Sequence, residues 1–264
     1  MNALLRRPAG VIGRGRRRLR RTPPPNNSPS LLYGLAACQH DLGKSQLITT
    51  SNRGWRAGRE WDVATRVVLI RHAATDAGAR LCGSFDAPLS LTGRQQVEAL
   101  LERVPTRAAP DVLLTSTLRR ARTVAAALAR TWVLDPLSAS WASEIHCGQV
   151  DGMLLEHVRR DFPDVWARNE LQVDDAFAWP GGETYAQFRA RIVAGLRATA
   201  LTYAGSRVAV VTHAGVIAQV LGVLRNRPAA VWSVDRPAPF TATEILWQND
   251  GPTAALAFNA PDWY

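Results

Sequence analysis

The pattern of hydrophobic and polar positions changes near residue 62. Over residues 1–30, apolar residues keep no helical period, and prolines and glycines interrupt them. Further along, continuous apolar runs rich in β-branched residues predict three buried strands, at residues 66–71, 111–116 and 207–212. The segments between and after these strands have helical patterning, and we predict helices at residues 91–104, 118–131, 153–170, 183–201 and 214–225.

Local signals refine this pattern. The spacing from Thr92 to Gln95 predicts a capping box in the first helix, and Pro163 predicts a break or a new start within the third. Residues 241–248 and 253–259 predict two late strands on either side of a hairpin turn signal. Because buried strands alternate with helices, we predict an α/β fold, a three-layer αβα sandwich with a mainly parallel sheet.

Charge is distributed unevenly along the 264 residues. Residues 1–60 hold 12 of the 32 basic side chains and two of the 22 acidic ones, so the net charge of +10 resides there. We therefore predict a basic tail or targeting segment at residues 1–60 and a charge-balanced catalytic domain at residues 61–264.

The tail allows several interpretations. It is a disordered extension, or it resembles an organelle transit peptide because it is rich in arginine and poor in acids. The segment ending at Cys38 also resembles a bacterial lipoprotein cleavage box, and the charge alone would attract anionic lipid or nucleic acid. We expect no specific nucleic-acid partner, and no transmembrane segment because no apolar run approaches about 18 residues. The expected location is the cytoplasm.

The cysteines argue against two further classes of protein. Cys38, Cys82 and Cys147 are far apart and form no Cys-x-x-Cys pair, which disfavours a disulfide-stapled fold and a structural zinc site. We expect no metal and no other cofactor.

Polar side chains follow each of the three buried strands. Arg71 and His72 end the first strand, Ser116 and then Arg120 follow the second, and His213 follows the third. Because the carboxyl ends of parallel strands meet at one edge of a sheet, two arginines and two histidines should lie together. Arginine forks match phosphate oxygens, so this cationic edge predicts a phosphate-binding pocket.

Six segments carry a resemblance to a known family, the histidine phosphatase (phosphoglycerate mutase-like) superfamily. VVLIRHAATD resembles its Arg-His-Gly signature, and five further segments are similar to its other blocks in the same order: GSFDAPLSLTGRQQ, STLRRARTVA, SEIHCGQVDG, PGGETYAQFRAR and VVTHAGVIAQVL. The resemblance covers about residues 65–225.

The resemblance implies roles for individual residues. His72 would be the nucleophile that becomes a phosphohistidine, and Glu144 the proton donor. Protonated His213 would serve the reaction beside them, taking the place of a metal together with Arg120. The remaining predicted phosphate-binding groups are the side chains of Arg71, Arg120 and Thr75 and the backbone N–H of Ala214.

Some assignments stay open on sequence alone. Glu144 is alternatively a capping or salt-bridging residue. His146 either reaches substrate or faces solvent, and Asp86 either touches substrate or, as we favour, orders its loop. The sequence departs from the family pattern at four positions, none of which removes a catalytic group: Ala73, Ala74, Gly78 and Val150.

The expected activity is hydrolysis of a small phosphate ester by a metal-independent phosphomonoesterase. Residues 150–182 should form a helical lid, and Trp141, Trp166 and Trp179 around it could stack on a planar substrate. The lid segment resembles the α-ribazole phosphatase subgroup, which implies a nucleotide-like phosphate. The alternatives are a phosphoglycerate mutase and a non-catalytic anion-binding module that uses the basic tail. The sequence does not indicate the oligomeric state.

Overall fold

The computed structural model describes residues 64–106, 109–248 and 251–261. Six helices lie within these ranges: α1 (Leu91–Leu101), α2 (Arg119–Trp132), α3 (Leu155–Asp161), α4 (Pro163–Leu171), α5 (Tyr185–Thr202) and α6 (Ala214–Leu224). Six strands accompany them: β1 (Thr65–Arg71), β2 (Val112–Thr115), β3 (Leu137–Ser138), β4 (Arg207–Thr212), β5 (Ala242–Gln248) and β6 (Gly251–Ala260).

The strands form one sheet in the order β3-β2-β4-β1-β5-β6. The neighbours from β3 to β1 pair in parallel, whereas β5 and β6 add an antiparallel edge. The predicted α/β fold with a mainly parallel sheet is confirmed. Sequence analysis missed β3, because two exposed residues give no hydrophobic signal.

Strand β1 shows why the fold has three layers. Its side chains alternate between the two faces of the sheet, as the two-residue period of a strand requires. Val68 and Ile70 pack with residues of α1 and α2 on one face. Val67 and Leu69 pack with residues of α5 and α6 on the other. Helices therefore cover both faces, and β1 is apolar throughout because water reaches neither face.

The predicted capping box of α1 is wrong. The N-cap is Ser90, whose hydroxyl accepts a hydrogen bond from Gly93 N, and Thr92 lies inside the helix. The described capping box is that of α5, where Thr184 and Gln187 exchange side-chain and backbone hydrogen bonds. In the predicted third helix, Pro163 is a new start, because it occupies the first position of α4.

A third apolar cluster lies beneath α3 and α4. It joins the loop that follows Glu144 to the helical insertion and to residues before β5, and it contains Cys147, Val150, Val158, Phe177, Trp179, Tyr185, Ala229 and Ala230. This cluster fixes the insertion predicted as a lid beside the carboxyl edge of the sheet.

The predicted tail at residues 1–60 lies outside the described residues, so the domain division and the interpretations of Cys38 stay predictions. Within the described part of the chain, no helix has the length and apolar character needed to cross a bilayer. The cytoplasmic location also stays a prediction.

Candidate active site

The predicted edge of the sheet assembles as expected. Strands β2, β4 and β1 are neighbours and run in parallel, so their carboxyl ends coincide. His72 follows β1, His213 follows β4, and Arg120 lies in the first turn of the helix after β2. The two imidazole rings lie with their centroids 5.1 Å apart.

Arg120 lies between the two rings. Its Nε is 3.3 Å from His72 Nε2 and 3.2 Å from His213 Nδ1. An arginine early in a helix is usually solvated, but Arg120 is only 2% exposed. The structure thus places a guanidinium charge beside both histidines, which is the arrangement a phosphate pocket requires.

His72 is held in one tautomer. Its Nδ1 donates to Ala73 O at 2.7 Å, and because a carbonyl only accepts, Nδ1 must carry the proton. The lone pair is therefore on Nε2, the atom facing Arg120. Burial, with the charge of Arg120 second, lowers the pKa of His72 to about 3, so the imidazole is a neutral nucleophile at pH 7.

His213 is fully buried behind Arg120. Its Nε2 lies 2.7 Å from Ser116 Oγ, and its Nδ1 accepts from Arg120. Burial and the neighbouring Arg120 hold the pKa of His213 well below its ordinary value. Removing the ring from water disfavours its charged form, so His213 is neutral in the site without substrate, and its protonation during the reaction stays a prediction.

Two further N–H groups of Arg120 bind the loop at residues 83–85, and one N–H remains on each of Nη1 and Nη2. Nη1 donates to Phe85 O at 2.7 Å, and Nη2 donates to Gly83 O at 2.8 Å. The guanidinium plane is thus set by two carbonyl groups rather than by a carboxylate. Its charge is not cancelled by an ion pair and remains available to an anion.

Asp151 holds this loop, and sequence analysis missed it. Its carboxylate accepts from the backbone N–H groups of Gly83, Ser84 and Phe85, from the Ser84 hydroxyl and from Cys147 N. Because its N–H groups bind Asp151, the loop can direct two of its carbonyl oxygens at Arg120. Asp151 and Ser84 are 67 residues apart, so local spacing gives no signal for this contact.

Glu144 lies against the start of α6. Its Oε2 accepts from Gly215 N at 3.0 Å, and its Oε1 accepts from the adjacent Ile145 N at 3.1 Å. A Cβ at position 215 would lie 2.2 Å from Glu144 Oε1, so any larger residue there would displace the Glu144 carboxyl from this position. The carboxyl is thus positioned by backbone N–H donors and not by a salt bridge. Its bond to Gly215 N, in the first turn of α6, agrees with the capping role considered as an alternative.

Arg191 of α5 supports the segment that carries Glu144. It donates to the carbonyl oxygens of Trp141 and Ser143 and to the carboxylate of Glu183, at 2.6–3.0 Å. Glu183 in turn accepts from His146 N. Sequence analysis missed this support because Arg191 appears as an ordinary polar position on a long helix.

Arg71 joins the phosphate pocket to the loop before β5. Its Nη1 donates to Pro237 O at 2.6 Å, and its Nε is buried without a partner among the described residues. Burial lowers the pKa of Arg71 to about 10, with a further contribution from the nearby charge of Arg236. Arg71 still carries its charge at pH 7.

The other predicted residues occupy varied places. Thr75 is half-buried and forms an isolated bridge with Leu89. Ala214 is the buried first residue of α6, so its N–H lies at the positive end of that helix. Binding of phosphate by either residue stays a prediction.

Asp86 and His146 do not extend the cationic edge. Asp86 Oδ1 accepts from Arg119 N at 2.6 Å and so caps α2, which agrees with the favoured loop-ordering role. His146 is exposed, and its Nδ1 accepts from Gly148 N. The structure thus gives His146 a local contact within its own loop.

A cavity of about 330 Å³ extends from Glu144 beneath α3 and α4. Its wall is largely aromatic and apolar, with few polar side chains. The residues that matter for its chemistry are Glu144, Trp166, Trp179, Tyr185, Trp232 and Arg236. Glu144 thus faces both the phosphate-binding edge and a space of the size that small organic ligands occupy.

The cavity also separates the three tryptophans for which sequence analysis weighed stacking on a substrate against a structural role. Trp166 and Trp179 line it, with ring centroids 6.2 Å apart. Trp141 does not line it and instead packs against Gly195 of α5. Trp232, which sequence analysis did not single out, lines the wall in its place.

Across the described ranges, no group of three or more His, Cys, Asp or Glu side chains is arranged to hold a metal ion. The cations beside His72 are guanidinium groups. The geometry therefore offers a pocket in which arginine supplies the positive charge.

Comparison with known proteins identifies the family. The model of the histidine phosphatase superfamily, branch 1, matches residues 67–260. The chain belongs to this superfamily. This match confirms the resemblance derived from the sequence blocks.

Two curated relatives are named as phosphatases. The metal-independent phosphoserine phosphatase of Arabidopsis thaliana is 29% identical over 58% of this chain and 66% of its own length. The glucosyl-3-phosphoglycerate phosphatase of Mycobacterium tuberculosis is 32% identical over 64% of this chain and 79% of its own length. With the family match, these relatives confirm the prediction of a phosphatase enzyme.

Solved structures agree with the fold. The mycobacterial glucosyl-3-phosphoglycerate phosphatase superposes with a TM-score of 0.65 at 28% identity, covering 75% of this chain and 99% of that one. A putative α-ribazole-5'-P phosphatase from Escherichia coli has a TM-score of 0.66 at 20% identity, with coverage of 75% and 97%. At this identity, the second likeness shows a shared fold.

Proposed function

We propose that this chain is a metal-independent phosphomonoesterase that hydrolyses a small phosphorylated metabolite through a phosphohistidine intermediate. The observation that carries the proposal is the position of Arg120 Nε, 3.3 Å from the lone-pair nitrogen of His72 and 3.2 Å from His213. A neutral nucleophile beside a fixed cation suits attack on a dianionic phosphoryl group, because positioning and charge stabilisation dominate this chemistry.

In the first step, His72 Nε2 attacks phosphorus and forms a P–N bond as the ester P–O bond breaks. The electron pair of that bond stays on the leaving oxygen, and the Glu144 carboxyl delivers a proton to it, so the alcohol departs neutral. Arg71 and Arg120 bind the phosphoryl oxygens. His213 takes up a proton when the dianion binds, because an adjacent negative charge favours the imidazolium.

In the second step, water attacks the phosphohistidine. Glu144, now a carboxylate, accepts a proton from the water, the P–N bond breaks, and its electron pair returns to His72 Nε2. Inorganic phosphate leaves, and Glu144 is again protonated for the next cycle. The backbone donors Gly215 N and Ile145 N hold the carboxyl in place in both steps.

The cavity limits which alcohols a substrate can carry, whereas the phosphate pocket binds the phosphoryl group that all substrates share. The relatives are named for phosphoserine, glucosyl-3-phosphoglycerate and α-ribazole 5'-phosphate as their substrates. The tryptophans around the cavity favour an alcohol that carries a ring over a short one such as serine. α-Ribazole 5'-phosphate is one ester of this kind, and we propose it as a substrate to test.

The proposal is tested with the full chain and p-nitrophenyl phosphate in the presence of EDTA. We expect turnover, and a phosphorylated enzyme after quenching that is labile to acid and stable to base. The His72→Ala variant should retain the circular dichroism spectrum of the unsubstituted chain. It should lose turnover and should form no phosphorylated enzyme. The matched control is His157→Ala, because His157 is a half-exposed histidine of α3 that should leave both unchanged.

Several results would contradict the proposal. If EDTA abolishes turnover, the enzyme depends on a metal. If His72→Ala still forms the phosphorylated enzyme in full, His72 is not the nucleophile. Incubation with 3-phosphoglycerate, followed by ³¹P NMR, separates the alternatives: free phosphate indicates a phosphatase, and a rearranged ester indicates a mutase. Salt-sensitive anion binding without any turnover would favour the anion-binding module.

A further inference from the structure

Arg236 contributes a positive charge that the proposed chemistry does not use. Its side chain is exposed at the wall of the cavity that also contains Glu144, and its guanidinium carbon lies 5.1 Å from the centroid of the Trp232 ring. Stacking on an indole holds a guanidinium in place while leaving its N–H donors free. Arg236 is therefore a fixed donor group at the cavity wall.

No acid neutralises Arg236 among the residues that the structure describes. The adjacent Asp235 is buried and binds Arg225 and Arg227 instead. Arg236 also lies close enough to Arg71 to lower its pKa, so two like charges adjoin each other. Repulsion between two adjacent cations is unfavourable. A bound anion would offset this repulsion, so the arrangement suits an anionic ligand.

The backbone ties this arginine to the reaction site. Pro237, the next residue, accepts the hydrogen bond from Arg71 Nη1, so residue 236 cannot move far without disturbing Arg71. Arg236 and Glu144 both line the cavity, whereas His72 and Arg120 do not, and the departing alcohol would lie in this cavity. Its position therefore assigns it to the leaving group and not to the phosphoryl group.

The rest of the wall indicates what that alcohol carries. Trp166 and Trp179 supply aromatic surface, and Trp232 Nε1 is a buried donor without a partner in the described part of the chain. A buried unpaired donor is costly unless a ligand oxygen meets it. A cavity of about 330 Å³ is also larger than a serine or glycerate skeleton needs.

We infer that Arg236 is a specificity-determining residue that binds an anionic substituent, such as a carboxylate, on a leaving alcohol that also carries a ring. This inference rests on the proposed phosphatase activity and narrows its ring-bearing substrates to those with an anionic substituent on the alcohol. α-Ribazole has no such substituent, so the inference ranks its phosphate below a carboxylated ester. Two acids also line the cavity, Glu144 and the exposed Glu170 of α4, and they would favour a cationic alcohol instead. Arg80 is a second lining cation, but its Nη1 already donates to Gly152 O.

Three aryl esters with one ring and different charges test the inference: phenyl phosphate, 4-carboxyphenyl phosphate and 4-(aminomethyl)phenyl phosphate. The measured quantity is the ratio of kcat/KM for the carboxylated ester to that for phenyl phosphate. We expect the full chain to favour the carboxylated ester about tenfold, the size of one charge-assisted contact to an exposed guanidinium. The Arg236→Gln variant should lower the ratio about tenfold, and Arg236→Lys should retain part of it.

The matched control is Arg130→Gln, which removes the same charge from an exposed position. It lies ten residues beyond Arg120 on α2, about 15 Å further along the helix. Its ratio should equal that of the unsubstituted chain, so the control separates a local contact from an effect of net charge.

Two outcomes overturn the inference and leave the proposed function unaffected. In the first, the kcat/KM ratio stays the same in Arg236→Gln, whether or not total activity falls. In the second, the unsubstituted chain prefers the aminomethyl ester. If the unsubstituted chain hydrolyses none of the three esters, the proposed function itself fails and the inference fails with it. Arg236→Lys keeps the experiment decisive if the glutamine variant does not fold.

Discussion

At the phosphate-binding end, Arg120 makes four hydrogen bonds from three nitrogens, and the loop it contacts is held in turn by four bonds to Asp151. In the leaving-group cavity, by contrast, Trp232 Nε1 and the guanidinium of Arg236 have no hydrogen-bond or ion-pair partner among the described residues. One region is a polar network around Arg120 that fixes a single geometry, although Arg71 Nε beside it is buried without a partner among the described residues. The other is an apolar wall with unused donors, which suits a ligand that completes it.

This difference predicts two kinds of mutational effect. Changes at the phosphate-binding end should slow all esters by the same factor, because every substrate presents the same phosphoryl group. Changes around the cavity should depend on the alcohol. Kinetic experiments with different esters test whether this separation holds.

The largest effect is expected for Arg120→Lys. A lysine keeps the charge but cannot contact both rings and two carbonyl groups at once, so kcat/KM should fall about a thousandfold. The loss should be equal for p-nitrophenyl phosphate and for an alkyl phosphate, measured as initial rates of phosphate release. A loss that depends on the alcohol would mean that Arg120 contacts the leaving group. The two regions would then not have separate roles.

Glu144→Gln is the next test, because Glu144 belongs to both regions. A glutamine cannot donate a proton to the leaving oxygen, so we expect kcat for an alkyl phosphate to fall about a hundredfold. The fall for p-nitrophenyl phosphate should be less than about tenfold, since nitrophenolate leaves without protonation. Equal losses for the two esters would disprove proton donation by Glu144.

Asp151→Asn should reduce kcat between about tenfold and a hundredfold. The amide nitrogen of asparagine would face backbone N–H donors, so the loop at residues 83–85 would shift and Arg120 would lose its alignment. Because Asp151 acts through Arg120, the loss should again be the same for activated and alkyl esters. Asp164→Asn, at an exposed position of α4, is the control and should keep full kcat.

The buried histidines predict the pH dependence of stability. The folded state holds the pKa of His72 at about 3 and that of His213 well below 6.5, so below pH 6.5 the unfolded chain binds more protons. The free energy of unfolding should therefore fall as the pH is lowered from 6.5 toward 3, by up to about 1.4 kcal/mol per pH unit for each ring.

Urea unfolding at pH 7, 6 and 5 measures this slope. We expect a shallower slope for His213→Asn than for the control His157→Asn, whose imidazole is half-exposed on α3. A steep slope that survives in His213→Asn would assign the acid sensitivity to other groups.

The smallest effect is expected for Trp166→Leu. Removing one aromatic wall should raise KM for phenyl phosphate roughly threefold to tenfold, and KM for a small alkyl phosphate should stay the same. Steady-state kinetics with the two esters provide the measurement. An equal change for both would mean that the ring does not contact the alcohol.

Sequence analysis anticipated the chemistry at the sheet edge because its signals are local. Arg71 and His72 follow a continuous apolar strand, and His213 follows another, so each strand places its polar residue at the carboxyl end. The supporting contacts had no such signal. Arg191 reaches Ser143 across 48 positions, and Asp151 reaches Ser84 across 67, distances at which spacing carries no information.

The sequence by itself determined the order of strands and helices, the family, and which residues would meet at the edge of the sheet. Hydrophobic periodicity specifies the elements and the sheet edge, because it states which face of each element must leave water. The family follows instead from the six motif segments that resemble it. Only the tertiary structure decided that His72 presents Nε2 to its neighbours, that His213 is neutral without a ligand, and that Arg236 stands unpaired at the cavity wall. Tautomer, pKa and pairing depend on burial and on atoms brought together from distant parts of the chain, and neither is written in local sequence.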